Sequence, residues 1–194
     1  MDKSKLRKIF REKRNSLSPD EIKTKSQLIT ENFITNLLPK ISNFSDKKIA
    51  FYLPVNNEVD TKYLIEYFSE KGNILALPKI PEHGRNLIFK EYKKEENLEK
   101  NILFSQIPEP KSDANNIDPD LIFVPLLAFD NHCNRLGMGK GFYDFTINQI
   151  RKTSRNALFI GLGYDFQLHK KIPNDINDQT LDFIASEKKI FHFK

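Results

Sequence analysis

Apolar positions along the chain fall into two rhythms. Leu6, Ile9 and Phe10 share one helical stripe, and Lys3, Arg7, Arg11 and Arg14 share another at steps of four, four and three. Ser18-Pro19-Asp20-Glu21 has the form of a helix start, with Ser at the N-cap, Pro at N1 and Glu at N3. The helix it opens carries Ile22, Ile29, Phe33 and Leu37 and stops near Pro39. Lys48–Leu53 is short and apolar, as a buried strand would be. Asp60 or Thr61 can cap a helix bearing Leu64, Ile65 and Phe68, which Gly72 ends. Ile74–Leu77, Leu87–Tyr92, Leu121–Val124, Ala157–Leu162 and Leu181–Ala185 are further predicted strands, and residues 93–101 read as a charged surface helix or loop. Gly141 to Arg151 reads as a helix, with Phe142, Phe145 and Gln149 on one side and Tyr143, Ile147 and Ile150 near the other.

Strands alternating with helices predict an α/β fold. We expect a three-layer, largely parallel twisted sheet flanked by helices, with a basic N-terminal helix, in one domain over residues 1–194. No repeat and no low-complexity linker divides the chain. In such sheets ligands sit beyond the carboxyl ends of the strands, so the post-strand loops are where chemistry is sought.

Composition narrows the picture. With 194 residues, 39% apolar content and 16 Phe, the chain can bury a sizeable core and does not read as disordered. The longest apolar run, Ile122–Phe129, is broken by Pro125 and falls far short of the ~20 residues of a membrane span. The basic start leads into Ser18-Pro19-Asp20-Glu21 and not into the apolar core of a secretory signal. The single Cys133 forbids an internal disulfide and fits a reducing, cytoplasmic setting. The net charge of +5 is not spread evenly: residues 1–14 hold seven basic and two acidic side chains, and the other 180 residues sum to zero. A neutral remainder without an aromatic-interleaved basic groove argues against nucleic acid as partner.

The richest post-strand loop is Arg135–Asp144, which follows the strand at 121–124 and leads into a helix. Gly137, Gly139 and Gly141 alternate along it, so the backbone can turn sharply and approach a ligand closely. Successive N–H groups there, with the helix start behind them, can cradle an anion. Lys140 adds a full charge, and Asp144 lies where a carboxylate could hold Mg²⁺ beside phosphates. The spacing is neither that of a P-loop nor that of a dinucleotide fingerprint. It also suits a Gly-rich turn with an incidental lysine. Cys133 beside His132 is not a nucleophile pair by adjacency alone, and the four histidines are not spaced as a metal site.

These segments resemble the 5-formyltetrahydrofolate cyclo-ligase family, also called methenyltetrahydrofolate synthetases. The family's PxxAFD and RLGxGxGxYD motifs correspond to Pro125–Asp130 and Arg135–Asp144. Weaker matches run in the same order: Lys3–Arg7, Tyr52-Leu53-Pro54 with Glu58–Thr61, Leu77-Pro78-Lys79, Ile107–Pro110, Gly161–Tyr164 with Gln167, and Asn177-Asp178 with Leu181-Asp182. The resemblance implies an ATP- and Mg²⁺-dependent ligase that turns 5-formyltetrahydrofolate into 5,10-methenyltetrahydrofolate. It implies a cytoplasmic monomer acting on a small reduced folate, with or without a polyglutamate tail, and with neither nucleic acid nor membrane as partner.

The resemblance also implies roles. Lys140 would be catalytic. Lys3, Arg7, Lys79, Arg135, Leu136, Gly137, Met138, Gly139, Lys140, Gly141, Phe142 and Tyr143 would bind ATP, with Arg14 a further candidate on the same helix face. Leu53, Glu58, Met138, Phe142 and Tyr143 would contact substrate, Glu58 by accepting pterin N–H groups, and Gln167 would border the site. Asp144 and Asp178 would hold Mg²⁺. Met138 and Phe142 depart from the polar residues that the family often has there.

Overall fold

The computed structural model describes residues 2–41, 45–94, 98–101, 107–153 and 156–193. Its helices are α1 (Lys3–Asn15), α2 (Pro19–Asn32), α3 (Lys62–Glu70) and α4 (Phe142–Lys152). Its strands are β1 (Lys48–Ala50), β2 (Ile74–Lys79), β3 (Ile88–Tyr92), β4 (Glu99–Lys100), β5 (Pro108–Glu109), β6 (Leu121–Pro125), β7 (Ala128–Phe129), β8 (Arg135–Leu136), β9 (Leu158–Leu162), β10 (Phe183–Ala185) and β11 (Ile190–His192).

Seven strands form one sheet in the order β11-β10-β9-β6-β1-β2-β3. The five inner strands run parallel, and antiparallel partners β11 and β3 close the two edges. From β1 the chain winds one way to β2, then returns to place β6 on β1's other side, with Ile49 opposite Leu121 and Ala50 opposite Ile122. The gap between β1 and β6 is therefore the topological switch point, where such sheets open a crevice.

Inner strands buried on both faces must be apolar at successive positions. In β6, Leu121 and Phe123 enter the core beneath α2 and α3, while Ile122 and Val124 enter the core beneath α4. Helix α2 starts as the sequence predicts: Ser18 Oγ accepts from the Glu21 N–H at 3.2 Å, and the Glu21 carboxylate accepts from the Ser18 N–H at 2.9 Å. Such a cap contributes about 1 kcal/mol. The helix continues as a π turn, Phe33–Leu37, which seats Phe33 edge-on against Phe123 at 5.2 Å.

Some elements differ from expectation. The first strand ends at Ala50, three residues early, because the chain leaves the sheet there to form a wall of the crevice. Thr61 does not cap α3. Its hydroxyl donates to the Tyr52 carbonyl, and the Asp60 carboxylate takes the Lys62 N–H instead. Within 93–101, residues 95–97 lie outside the described residues, and Glu99–Lys100 pair with Pro108–Glu109 as a two-stranded ribbon. The β7–β8 hairpin was not predicted. Asp130, fully buried, holds its turn by accepting from the backbone N–H groups of His132, Asn134 and Ile172 and from the Asn134 side chain. Leu6 and Phe10 of α1 pack on this hairpin through Leu127, Ala128 and Leu136. The basic helix is thereby fixed to the segment that precedes the Gly-rich loop. No helix among the described residues is long and apolar enough to cross a membrane.

Candidate active site

A cavity of about 860 Å³ opens at the switch point. That size suits a drug-sized ligand or larger. Its walls come from the loops after β1, β2 and β6, from the Gly-rich segment, from α1 and from residues 175–178.

The Gly-rich segment is shaped by its glycines. Gly139 and Gly141 have φ of +99° and +75°, in the left-handed region that side chains disfavour. Arg7 packs against this turn: its Nε donates to the Gly137 carbonyl at 3.0 Å, and a Cβ at Gly139 would lie 3.4 Å from its guanidinium carbon. Gly141 is the N-cap of α4 and no side chain caps the helix start. The first turn of α4 lies at the cavity wall, where a helix start favours an anion.

All predicted site residues but Lys79, Gln167 and Arg14 line this cavity. Lys3, Arg7, Leu53, Glu58, Asp144, Asp178 and the whole run from Arg135 to Tyr143 border it. Lys79 does not. Its ammonium is held at 2.6 Å by buried Glu109, while Pro78 and Ile80 on either side do face the cavity. Gln167 is also withdrawn: it is buried, donates to the carbonyls of Leu126 and Leu127, and accepts from the Tyr164 N–H. Arg14 is fully buried and pairs with Glu58 at 3.4 Å, so it does not point at a polyphosphate from the helix surface.

The two carboxylates expected at a metal are each engaged by a cation. Asp144 Oδ1 lies 2.9 Å from Arg135 Nη2, in ion-pair contact without an aligned N–H, and accepts from the Gln179 N–H at 3.1 Å. Asp178 pairs with the Lys3 ammonium, which Asp175 also holds at 2.6 Å. Those contacts lower the pKa of Asp175 through the Lys3 hydrogen bond. No group of three His, Cys, Asp or Glu gathers as a metal cluster among the described residues.

The opposite wall is drier. Glu58 is 7% exposed. Burial pushes its carboxyl above the usual carboxylate range, and Arg14 offsets this in part. Tyr143 on α4 is also raised, first by burial and then by the charge of Glu58. Residues that sequence reasoning missed include Tyr52, Asn56, Arg85, Leu126 and Asp175. Their one signal was position after a strand or beside a predicted residue.

Fold and cavity together define a class: an α/β protein with a Gly-rich loop on one wall of a switch-point pocket and a buried carboxylate on another. Residues 1–187 match the profile of the 5-formyltetrahydrofolate cyclo-ligase family, and the chain belongs to that family. The Escherichia coli protein named 5-formyltetrahydrofolate cyclo-ligase is 30% identical over 190 residues, spanning 95% of this chain and 100% of the relative. The namesake from Mycoplasma genitalium is 32% identical over 184 residues, spanning 95% and 97%. Among solved structures, the Aquifex aeolicus 5,10-methenyltetrahydrofolate synthetase superposes with a TM-score of 0.79 at 32% identity, covering 100% of this chain and 94% of that one. The Mycoplasma pneumoniae 5,10-methenyltetrahydrofolate synthetase gives 0.75 at 28% identity, covering 97% and 100%.

Proposed function

We propose that the chain converts 5-formyltetrahydrofolate to 5,10-methenyltetrahydrofolate, with ATP cleaved to ADP and phosphate. One observation carries this reading: a single cavity gathers the Gly-rich loop, the cations of α1 and the buried carboxylate of Glu58. Such a site can hold a polyphosphate and an N–H-rich ring side by side.

The formyl oxygen is a poor leaving group. Transfer of the γ-phosphoryl to that oxygen forms an O–P bond, breaks the bond to the β-phosphate, and releases ADP. N10 then attacks the formyl carbon and loses its proton, the C–O bond breaks, and phosphate departs as the ring closes. Positioning and charge stabilisation dominate such a transfer. Backbone N–H groups of Gly137, Gly139 and Gly141 hold the phosphates. Lys140 neutralises the transferring phosphoryl, and Lys3, Arg7 and Arg135 flank it. Leu53, Met138, Phe142 and Tyr143 form the substrate wall, and Glu58 accepts N–H groups of the pteridine edge.

Asp144 and Asp178 suit Mg²⁺. Both offer hard oxygen donors at the cavity wall, and both already hold a cationic side chain. When bound, Mg²⁺ would neutralise phosphate charge. In this reading the enzyme acts as a monomer, and a single buried thiol supports a cytoplasmic setting.

An isotope experiment tests the chemistry. With ¹⁸O in the formyl group, the label is expected in the released phosphate. Label found in water would rule out phosphorylation of the formyl oxygen.

A further inference from the structure

Arg14 is the largest fully buried side chain of the described residues, and it carries a charge. Its Nη1 lies 3.4 Å from Glu58 Oε1 and 3.4 Å from the Leu126 carbonyl, and its Nη2 lies 3.9 Å from Met138 Sδ. Its Nε has no hydrogen-bond partner among the described residues. Those three contacts belong to three different walls of the cavity: the loop after β1, the loop after β6 and the Gly-rich segment. Replacing a buried pair by packed apolar residues is often neutral or stabilising, so the pair is poorly explained as a stability device.

Glu58 shows what the pair serves. Its Oε2 accepts from the Val55 N–H at 3.1 Å, and among the described residues its Oε1 receives only the long contact from Arg14. A carboxylate offers about four lone-pair sites, so acceptor capacity is left over at the cavity. That capacity depends on the negative charge, which a dry site disfavours.

We infer that Arg14 is a positioning residue for substrate: from the last turn of α1 it keeps the Glu58 carboxylate charged and aimed at the N–H-bearing edge of the folate. This rests on the activity proposed above. The groups facing Glu58 are Arg14 from α1, Tyr52 after β1, Tyr143 from α4 and Tyr164 after β9, whose hydroxyl donates to the Glu58 carbonyl at 3.1 Å. Burial lifts all three phenols, Tyr164 to about 12, so they stay neutral through the acid and neutral range. Glu58 is then the group whose ionisation governs the acid side of folate binding. Burial raises its pKa, and the guanidinium limits that rise.

The test is the pH profile of kcat/KM for 5-formyltetrahydrofolate in wild type, Arg14→Met, Arg14→Lys and Glu58→Gln. Arg14→Met is expected to raise the folate KM by about tenfold or more and to move the acid limb to higher pH, while the ATP KM changes by less than about twofold. Glu58→Gln is expected to lose the limb, and adding Arg14→Met to it should lower folate kcat/KM by less than about threefold more. Arg14→Lys keeps the charge without the fork, so its limb should stay near that of wild type while the folate KM rises. An unmoved limb in Arg14→Met, or losses that multiply with Glu58→Gln, overturns the inference. Should Arg14→Met not fold, Arg14→Lys decides: an unchanged folate KM overturns it and a raised one upholds it. Wild type without turnover would strike the proposed activity, whereas active wild type with an indifferent Arg14 strikes this inference alone.

Discussion

The two ends of α1 carry the same kind of side chain into opposite surroundings. At the first turn, Lys3 keeps about a quarter of its side chain exposed and meets Asp175 and Asp178 at the cavity rim. One turn on, Arg7 braces the Gly-rich loop. At the last turn, Arg14 is wholly buried against Glu58. All three share one helical stripe, yet Lys3 holds acidic partners at the partly solvated rim and Arg7 a backbone carbonyl of the loop, whereas Arg14 holds its partner under the core. Charge that water can screen is cheap to rearrange, and charge under the core is not.

The sharpest way to break this contrast is to remove each end. Arg14→Met is expected to lower unfolding free energy by about 3 kcal/mol in urea titration, since a buried carboxylate loses its partner. Adding Glu58→Leu should restore most of that stability without restoring folate binding, and a double variant that stayed as unstable would make the pair structural. Lys140→Ala, on the exposed loop, is expected to lower kcat by about 10²-fold or more with the fold intact by circular dichroism. Unchanged turnover would remove Lys140 from the mechanism. Lys3→Ala should raise the ATP KM several-fold while costing at most about 1 kcal/mol of stability, because its ion pairs are partly solvated.

A smaller effect has opposite signs for stability and activity. The folded pKa of Glu58 lies above its unfolded value of 4.5. Its contribution to stability is therefore fully present below the unfolded pKa and is lost as pH rises through the folded one. Turnover should climb over that same window as the carboxylate ionises. Glu58→Gln is expected to flatten both curves there, and a stability curve that kept its slope would assign the titration to another group. Smallest is Cys133, whose thiol burial raises to about 12, helped by the charges of Asp130 and Asp182. Disulfide reagents at pH 8 should label it only after unfolding.

How far the sequence spoke follows from the same contrast between local and distant causes. The inner strands, the capping box at Ser18 and the turns of the Gly-rich loop are local patterns, and they appear near where spacing put them. The fate of the basic stripe was not local. Spacing aligned Lys3, Arg7 and Arg14, but Leu6 and Phe10 docking on an unforeseen hairpin decided which of them would be buried. Lys79 illustrates the same limit: its partner Glu109 lies thirty residues away on a two-residue strand that no periodicity announces. Arg85 and Asn56 reach the cavity from loops whose sequence carries no motif, and only the sheet order brings those loops together.

The most direct measurement mixes the folded protein with 5-formyltetrahydrofolate and Mg·ATP and follows the near-ultraviolet absorbance of methenyltetrahydrofolate. Absorbance is expected to rise only when protein, folate and nucleotide are all present, with one ADP formed per product. Folded protein that binds ATP and yields no product above the enzyme-free control would contradict the account.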